Sequence, residues 1–239
     1  MTPSEYKERI LESVEYKSEL EFLHSVTFEI IDCIRYLKVY SSRASHIYEK
    51  LMIMWGYDNI VESTIGIHTL VVEGSRNPSR RELRFLLEMI AKYVYIDQQL
   101  KDAELLEKIE FFEIEVPKSS LSIIRNVITP FEQDTENEFI SEALELFKAL
   151  SKFVHPSREQ LELQINEFNS GHYMGFESAE SFKEFNQTYF QILDIVLVLC
   201  FIGFGTDMSA DVLEDIAKDS KWQFANGKYT QEFIKIALN

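Results

Sequence analysis

The residues best placed to do chemistry in this sequence are a run of arginines and one histidine. Arg76, Arg80, Arg81 and Arg84 are four of the chain's nine arginines, and they fall within nine positions. The spacing of apolar residues puts Arg80, Arg81 and Arg84 in the first turns of a helix, where the positive end of the helix dipole disfavours cations. Two readings account for them. One is structural: Arg84 and Glu88 are four apart and can pair along the helix. The other is an anion site, in which guanidinium forks meet a phosphate at a helix N-terminus. Arg76, Arg80 and Arg81 are the candidate anion-binding residues, with Lys152 from a second motif. That motif is Leu150-Ser151-Lys152-Phe153-Val154-His155-Pro156-Ser157. A histidine at a helix end before proline is fixed in place, and it ionises near neutral pH, which suits acid–base work. Capping of the last helix carbonyls is its other possible role.

Other chemistries find little support. Glu21-x-x-His24 has the spacing used by di-iron bundles, but none of His46, His68, His155 and His172 has a glutamate three residues before it. Neither Cys-x-x-Cys nor His-Glu-x-x-His occurs, so no metal site is expected. A Walker loop, a Gly-x-Gly-x-x-Gly turn and a Gly-x-Ser-x-Gly elbow are also missing, and no cofactor is expected. Cys33 and Cys200 lie in apolar helical runs and read as inert core thiols of a reducing compartment. The formal charge of −16 leaves room for RNA or a nucleotide only through a local basic patch.

The stretch Arg81-Glu82-Leu83-Arg84-Phe85-Leu86-Leu87-Glu88, followed some way on by Ala149-Leu150-Ser151-Lys152-Phe153-Val154-His155-Pro156-Ser157, resembles HEPN-like proteins of bacterial defence and toxin–antitoxin systems. The resemblance covers roughly residues 79–160. It implies a helical bundle, frequent dimerisation and, in active members, metal-independent RNA cleavage by an arginine and a histidine close together on one helix. His155 matches the histidine. Residues 146–154 hold no arginine, only Lys148 and Lys152, so the arginine would have to be Arg84 from a neighbouring helix.

The elements that must carry these residues are helices. Gly and Pro number only 8 and 5, too few for the turns of a many-stranded sheet. Apolar residues recur at helical spacing over residues 3–41 as one long helix, then over 43–55, 58–72 and 79–99. Residues 73–78 read as a loop, and Ser79 with Glu82 has capping-box spacing. Further helices are expected at 102–114, 136–154, 158–168, 178–204 and 209–218. Asn226-Gly227 between aromatic residues signals a small hairpin. The expectation is an all-α multi-helix bundle in one compact domain over 1–239, with a weak boundary near 117–133. The apolar run at 195–204 is too short to span a bilayer, and the N-terminus has no leader-like apolar segment, so a cytoplasmic protein without a membrane anchor is expected. Three functions are consistent with this reading. The first is a binding or regulatory protein, a homo-oligomer or the partner of another protein, that takes a nucleotide-like anion. The second is a ribonuclease using His155 with Arg84. The third is a scaffold with no small-molecule site.

Overall fold

The computed structural model describes residues 3–41, 49–155, 158–170, 178–219 and 221–238 of the chain. Among them are eleven α-helices, two 3-10 turns and no strand. The first long amphipathic run divides into α1 (Pro3–Glu12) and α2 (Val14–Ser41). Ser13 causes the break: its Oγ accepts the N–H of Tyr16 at 3.1 Å and starts a new helix. Much of the helix expected over 43–55 falls on residues 42–48, outside the described residues. Its end is the short α3 (Met52–Trp55). α4 (Tyr57–Val72) and α5 (Arg76–Gln99) follow. Then come α6 (Leu105–Ile114), a 3-10 turn at Ser122–Asn126, and α7 (Gln133–Ser151). The chain ends with α8 (Arg158–Asn169), α9 (Ala179–Phe204), α10 (Thr206–Lys218), a second 3-10 turn at Gln223–Asn226, and α11 (Lys228–Ala237).

The centre of the bundle is α9, buried without a break over residues 192–201. It packs against α2 and α5, while α4 closes the layer by contacting both of those helices. A helix apolar on every side belongs where neighbours cover every side. By length and composition α9 would also suffice to cross a membrane, but 67% of its apolar window is buried inside the fold. α7 lies over α5 and α9, and α10 and α11 cover α9 at another side. One continuous core joins Tyr16 on α2 to Phe233 on α11. It includes Leu121, Ile124, Val127 and Phe131, so the stretch at 117–133 is part of that core.

Buried polar groups fix the register of the chain. Asp97 on α5 accepts the N–H groups of Met52 and Ile53 at 2.9 and 3.1 Å, capping α3 from another helix. The same carboxylate receives Lys108 Nζ at 2.9 Å, and that lysine is fully buried. Asp194 on α9 accepts from the N–H groups of Tyr229 and Thr230 and from Thr230 Oγ1. It is therefore the cap of α11, supplied from the centre of the bundle. This corrects the expected hairpin: Asn226 ends a 3-10 turn and Gly227 precedes a helix. Glycine is required there by closeness, since a Cβ at 227 would lie 2.2 Å from Asp194 Oδ1.

Candidate functional site

α5 starts earlier than the sequence indicates. Gly74 adopts φ 76, a left-handed turn that suits glycine, and the helix begins at Arg76. Pro78 sits in the first turn, where its missing N–H costs nothing. The loop is thus shorter than 73–78. The capping box expected at Ser79 and Glu82 does not form, because both lie inside the helix. Ser79 Oγ donates to the Arg76 carbonyl at 2.6 Å, and Glu82 accepts from Ser63 Oγ on α4 at 2.6 Å.

With α5 beginning at Arg76, residues 76, 80, 84 and 88 form one stripe, and it faces inward. Arg76 is buried and donates to Ser181 Oγ at 3.2 Å, with its guanidinium 5.0 Å from the centre of the Phe182 ring. Arg80 donates to Asn77 Oδ1 at 2.9 Å, and its guanidinium lies between the rings of Phe153 and Phe185, at 4.5 and 5.7 Å. Arg84 donates through Nε to Ser151 Oγ at 2.9 Å, stacks 4.2 Å from the Phe147 ring, and pairs with Glu88 at 3.4 Å. Glu88 in turn accepts from Lys92 at 2.5 Å. The cations sit at the start of α5 because aromatic faces and the C-terminal turn of α7 receive them. The negative end of the α7 dipole offsets the unfavourable end of their own helix.

Arg81 is one step off this stripe and differs from the rest. It is exposed, and its Nε donates to the carbonyl of Phe153 in the turn after α7. That turn carries Lys152 and His155, both exposed. The turn is held from its other side by Gln160 on α8, whose Nε2 donates to the Lys152 carbonyl at 3.0 Å. Arg81 thus reaches the turn on which the exposed Lys152 and His155 lie, and among the described residues no carboxylate pairs with Arg81. Arg84 turns toward α7 and makes no hydrogen bond to His155 among the described residues. Pro156 and Ser157 of the motif lie outside the described residues.

Two further features escaped the sequence. His24 and Phe28 on α2 and His68 on α4 form an aromatic group, with the imidazole centres 5.6 Å apart. Burial, then the neighbouring His24, hold His68 below the usual histidine range. His24 and His68 line an open apolar dish with Leu20, Glu21 and Val72. No three metal-binding side chains converge among the described residues. The second feature is an open cleft of about 550 Å³ lined by Glu138, Glu142 and Glu145 of α7 and by Gln191 of α9. Lys228 bridges Glu138 and Glu142 at 3.0 and 2.7 Å, and Tyr229 donates to Glu142 at 2.6 Å. Both features join helices distant in sequence, so no local spacing could signal them.

No protein-family model matches this chain, and no match to it is found among curated proteins or among solved structures.

Proposed function

We propose that this chain is a helical binding or regulatory protein that takes an RNA or nucleotide-like phosphate at the edge formed by Arg81, Lys152 and His155. The observation that supports this reading is the placement of Arg81. Its Nε is fixed on the carbonyl of Phe153, in the turn that carries the exposed Lys152 and His155, in a chain of net charge −16. An arginine oriented through Nε presents its remaining N–H groups to an anion without losing much side-chain freedom on binding. The half-buried Arg80 and Arg84 hold that turn through Phe153 and Ser151.

Binding is favoured over cleavage on physical grounds. A ribonuclease reaction would need Arg84 beside the phosphate that the ribose 2′-hydroxyl attacks with His155 as general base or acid, and Arg84 is engaged by Phe147, Ser151 and Glu88. A reducing, cytoplasmic setting fits the free, buried thiols of Cys33 and Cys200. A role in bacterial defence or a toxin–antitoxin system rests on the resemblance of residues 79–160 alone.

The test is fluorescence anisotropy with a labelled single-stranded RNA, run beside a gel assay of RNA integrity. The wild type is expected to bind and leave the RNA intact. Arg81→Ala is expected to weaken binding by roughly ten-fold, the loss of one charged hydrogen-bonding group. RNA cleaved by the wild type and spared by His155→Ala would replace this reading with the nuclease one. No binding, or binding indifferent to Arg81, would overturn the phosphate site.

A further inference from the structure

Glu21-x-x-His24 has metal-ligand spacing but finds no second copy of itself in the sequence. The fold supplies a different partner. α2 and α4 pack side by side, and the imidazole of His68 on α4 lies beside that of His24, with ring centres 5.6 Å apart. Both histidines open onto one dish of about 520 Å³, and Glu21 lines it one helical turn before His24. The backbone beneath the pair is fixed by the core, since Leu23 and Val26 on α2 and Ile67 and Val71 on α4 are buried. The rings themselves are less confined: His24 is exposed and His68 half-buried, so each can turn about its side-chain bonds.

We infer that His24 and His68 hold a divalent transition-metal ion of the zinc type between α2 and α4, with the Glu21 carboxylate as third donor and water as the fourth. The donor set selects such an ion. Neutral imidazole suits zinc, copper and nickel, whereas calcium and magnesium ask for oxygen donors throughout. The spacing fits as well. A zinc–nitrogen bond of about 2.0–2.1 Å puts each imidazole centre roughly 3.2 Å from the metal, so a tetrahedral ion holds two such rings with their centres about 5.2 Å apart. The observed separation is slightly longer, and a small turn of the exposed His24 ring takes up the difference. Glu21 is exposed and makes no ion pair among the described residues, so its carboxylate swings into the third position at little energetic cost. Without that movement the donors number two. Leu20 and Val72 give the dish apolar walls, beside which the attraction between carboxylate and cation is stronger than in open water. The site joins two helices whose contact is set by the core, so the ion meets a nearly preformed pair of ligands. It does not depend on the phosphate edge.

Isothermal titration of the full, metal-free chain with zinc chloride tests it, with magnesium chloride as the control. The wild type is expected to take up one zinc ion and to ignore magnesium. Loss of an outer-shell partner already weakens a metal site by ~10–100-fold, so His24→Gln, His68→Gln and Glu21→Gln are each expected to weaken zinc binding by ~ten-fold or more. His155→Gln, away from the dish, is expected to leave it unchanged. Far-UV circular dichroism checks that each variant keeps its helices. A second measurement needs the wild type alone: cobalt chloride in place of zinc is expected to give the strong visible absorption of a four-coordinate ion. No zinc binding by the wild type, binding unchanged by any one of the three substitutions in a folded chain, or a cobalt spectrum with only the weak bands of the hydrated ion would each overturn the inference.

Discussion

Replacing Arg84 by alanine should cost far more stability than replacing Arg81, three positions away on the same helix. Arg84 loses a charged hydrogen bond to Ser151, a stack on Phe147 and half of its pair with Glu88. Its side chain is 16% exposed and that of Glu88 is 9%, so solvent replaces little of what is lost. A hydrogen bond from a charged group is worth ~1.5–3 kcal/mol, and a partly exposed cation–π contact adds ~0.5–1 kcal/mol. These terms share one side chain and overlap, so the expected loss is ~2–3 kcal/mol. In a chain of this size that corresponds to a fall of roughly 5–10 °C in Tm. Arg81→Ala removes one exposed contact to a carbonyl and should cost less than ~1 kcal/mol. Arg84→Lys keeps the charge but not the planar fork, and should fall between the two. Urea and thermal unfolding followed by far-UV circular dichroism measure all three. Equal losses for Arg84→Ala and Arg81→Ala, within about 1 kcal/mol, would refute the division between a structural stripe and an exposed edge.

Lys108→Met leaves the Asp97 carboxylate buried with backbone partners alone, and should cost ~3–5 kcal/mol. Adding Asp97→Asn should restore part of that loss; a single substitution costing under ~1 kcal/mol in urea unfolding would count against the buried pair. Gly227→Ala drives a methyl group into the Asp194 carboxylate that caps α11 and should cost ~1–3 kcal/mol, and a neutral result would mean that this contact is not close. The His68 contribution depends on pH in a definite direction. Its folded value is lowered, so the stability it contributes is full above about 6.5 and is lost as pH falls through the lower folded value. His68→Gln should therefore lose less stability than the wild type between about pH 7.5 and 5.5, and parallel losses would exclude His68 as the cause.

Much of the helical layout was legible because long helices announce themselves by period. α9 could be read from its unbroken apolar run, and α5 and α7 from their repeating leucines and phenylalanines. In several of the misreadings the deciding partner lies far along the chain. Asn226-Gly227 has hairpin chemistry, yet the glycine serves the close approach of Asp194, more than thirty residues away. The break at Ser13 is local instead: its Oγ accepts the Tyr16 N–H, although the apolar period runs straight across it. The conflict between the arginines and their helix dipole was visible at once. Its resolution was not, because the receiving carbonyl, hydroxyl and rings belong to α7, the turn after it and α9. The pairing of His24 with His68 crosses two helices and leaves no trace in local spacing.

The salt dependence of RNA binding tests the phosphate edge most directly. Each phosphate contact releases counterions, and for a single strand the slope of log K against log salt is about −0.7 per contact. Two or three contacts from Arg81, Lys152 and His155 should give a slope of roughly −1.4 to −2.1, and Arg81→Ala with Lys152→Ala should bring it to between zero and about −0.7. A wild-type slope near zero, or one that the double substitution leaves unchanged, would contradict the assignment of phosphate binding to this edge.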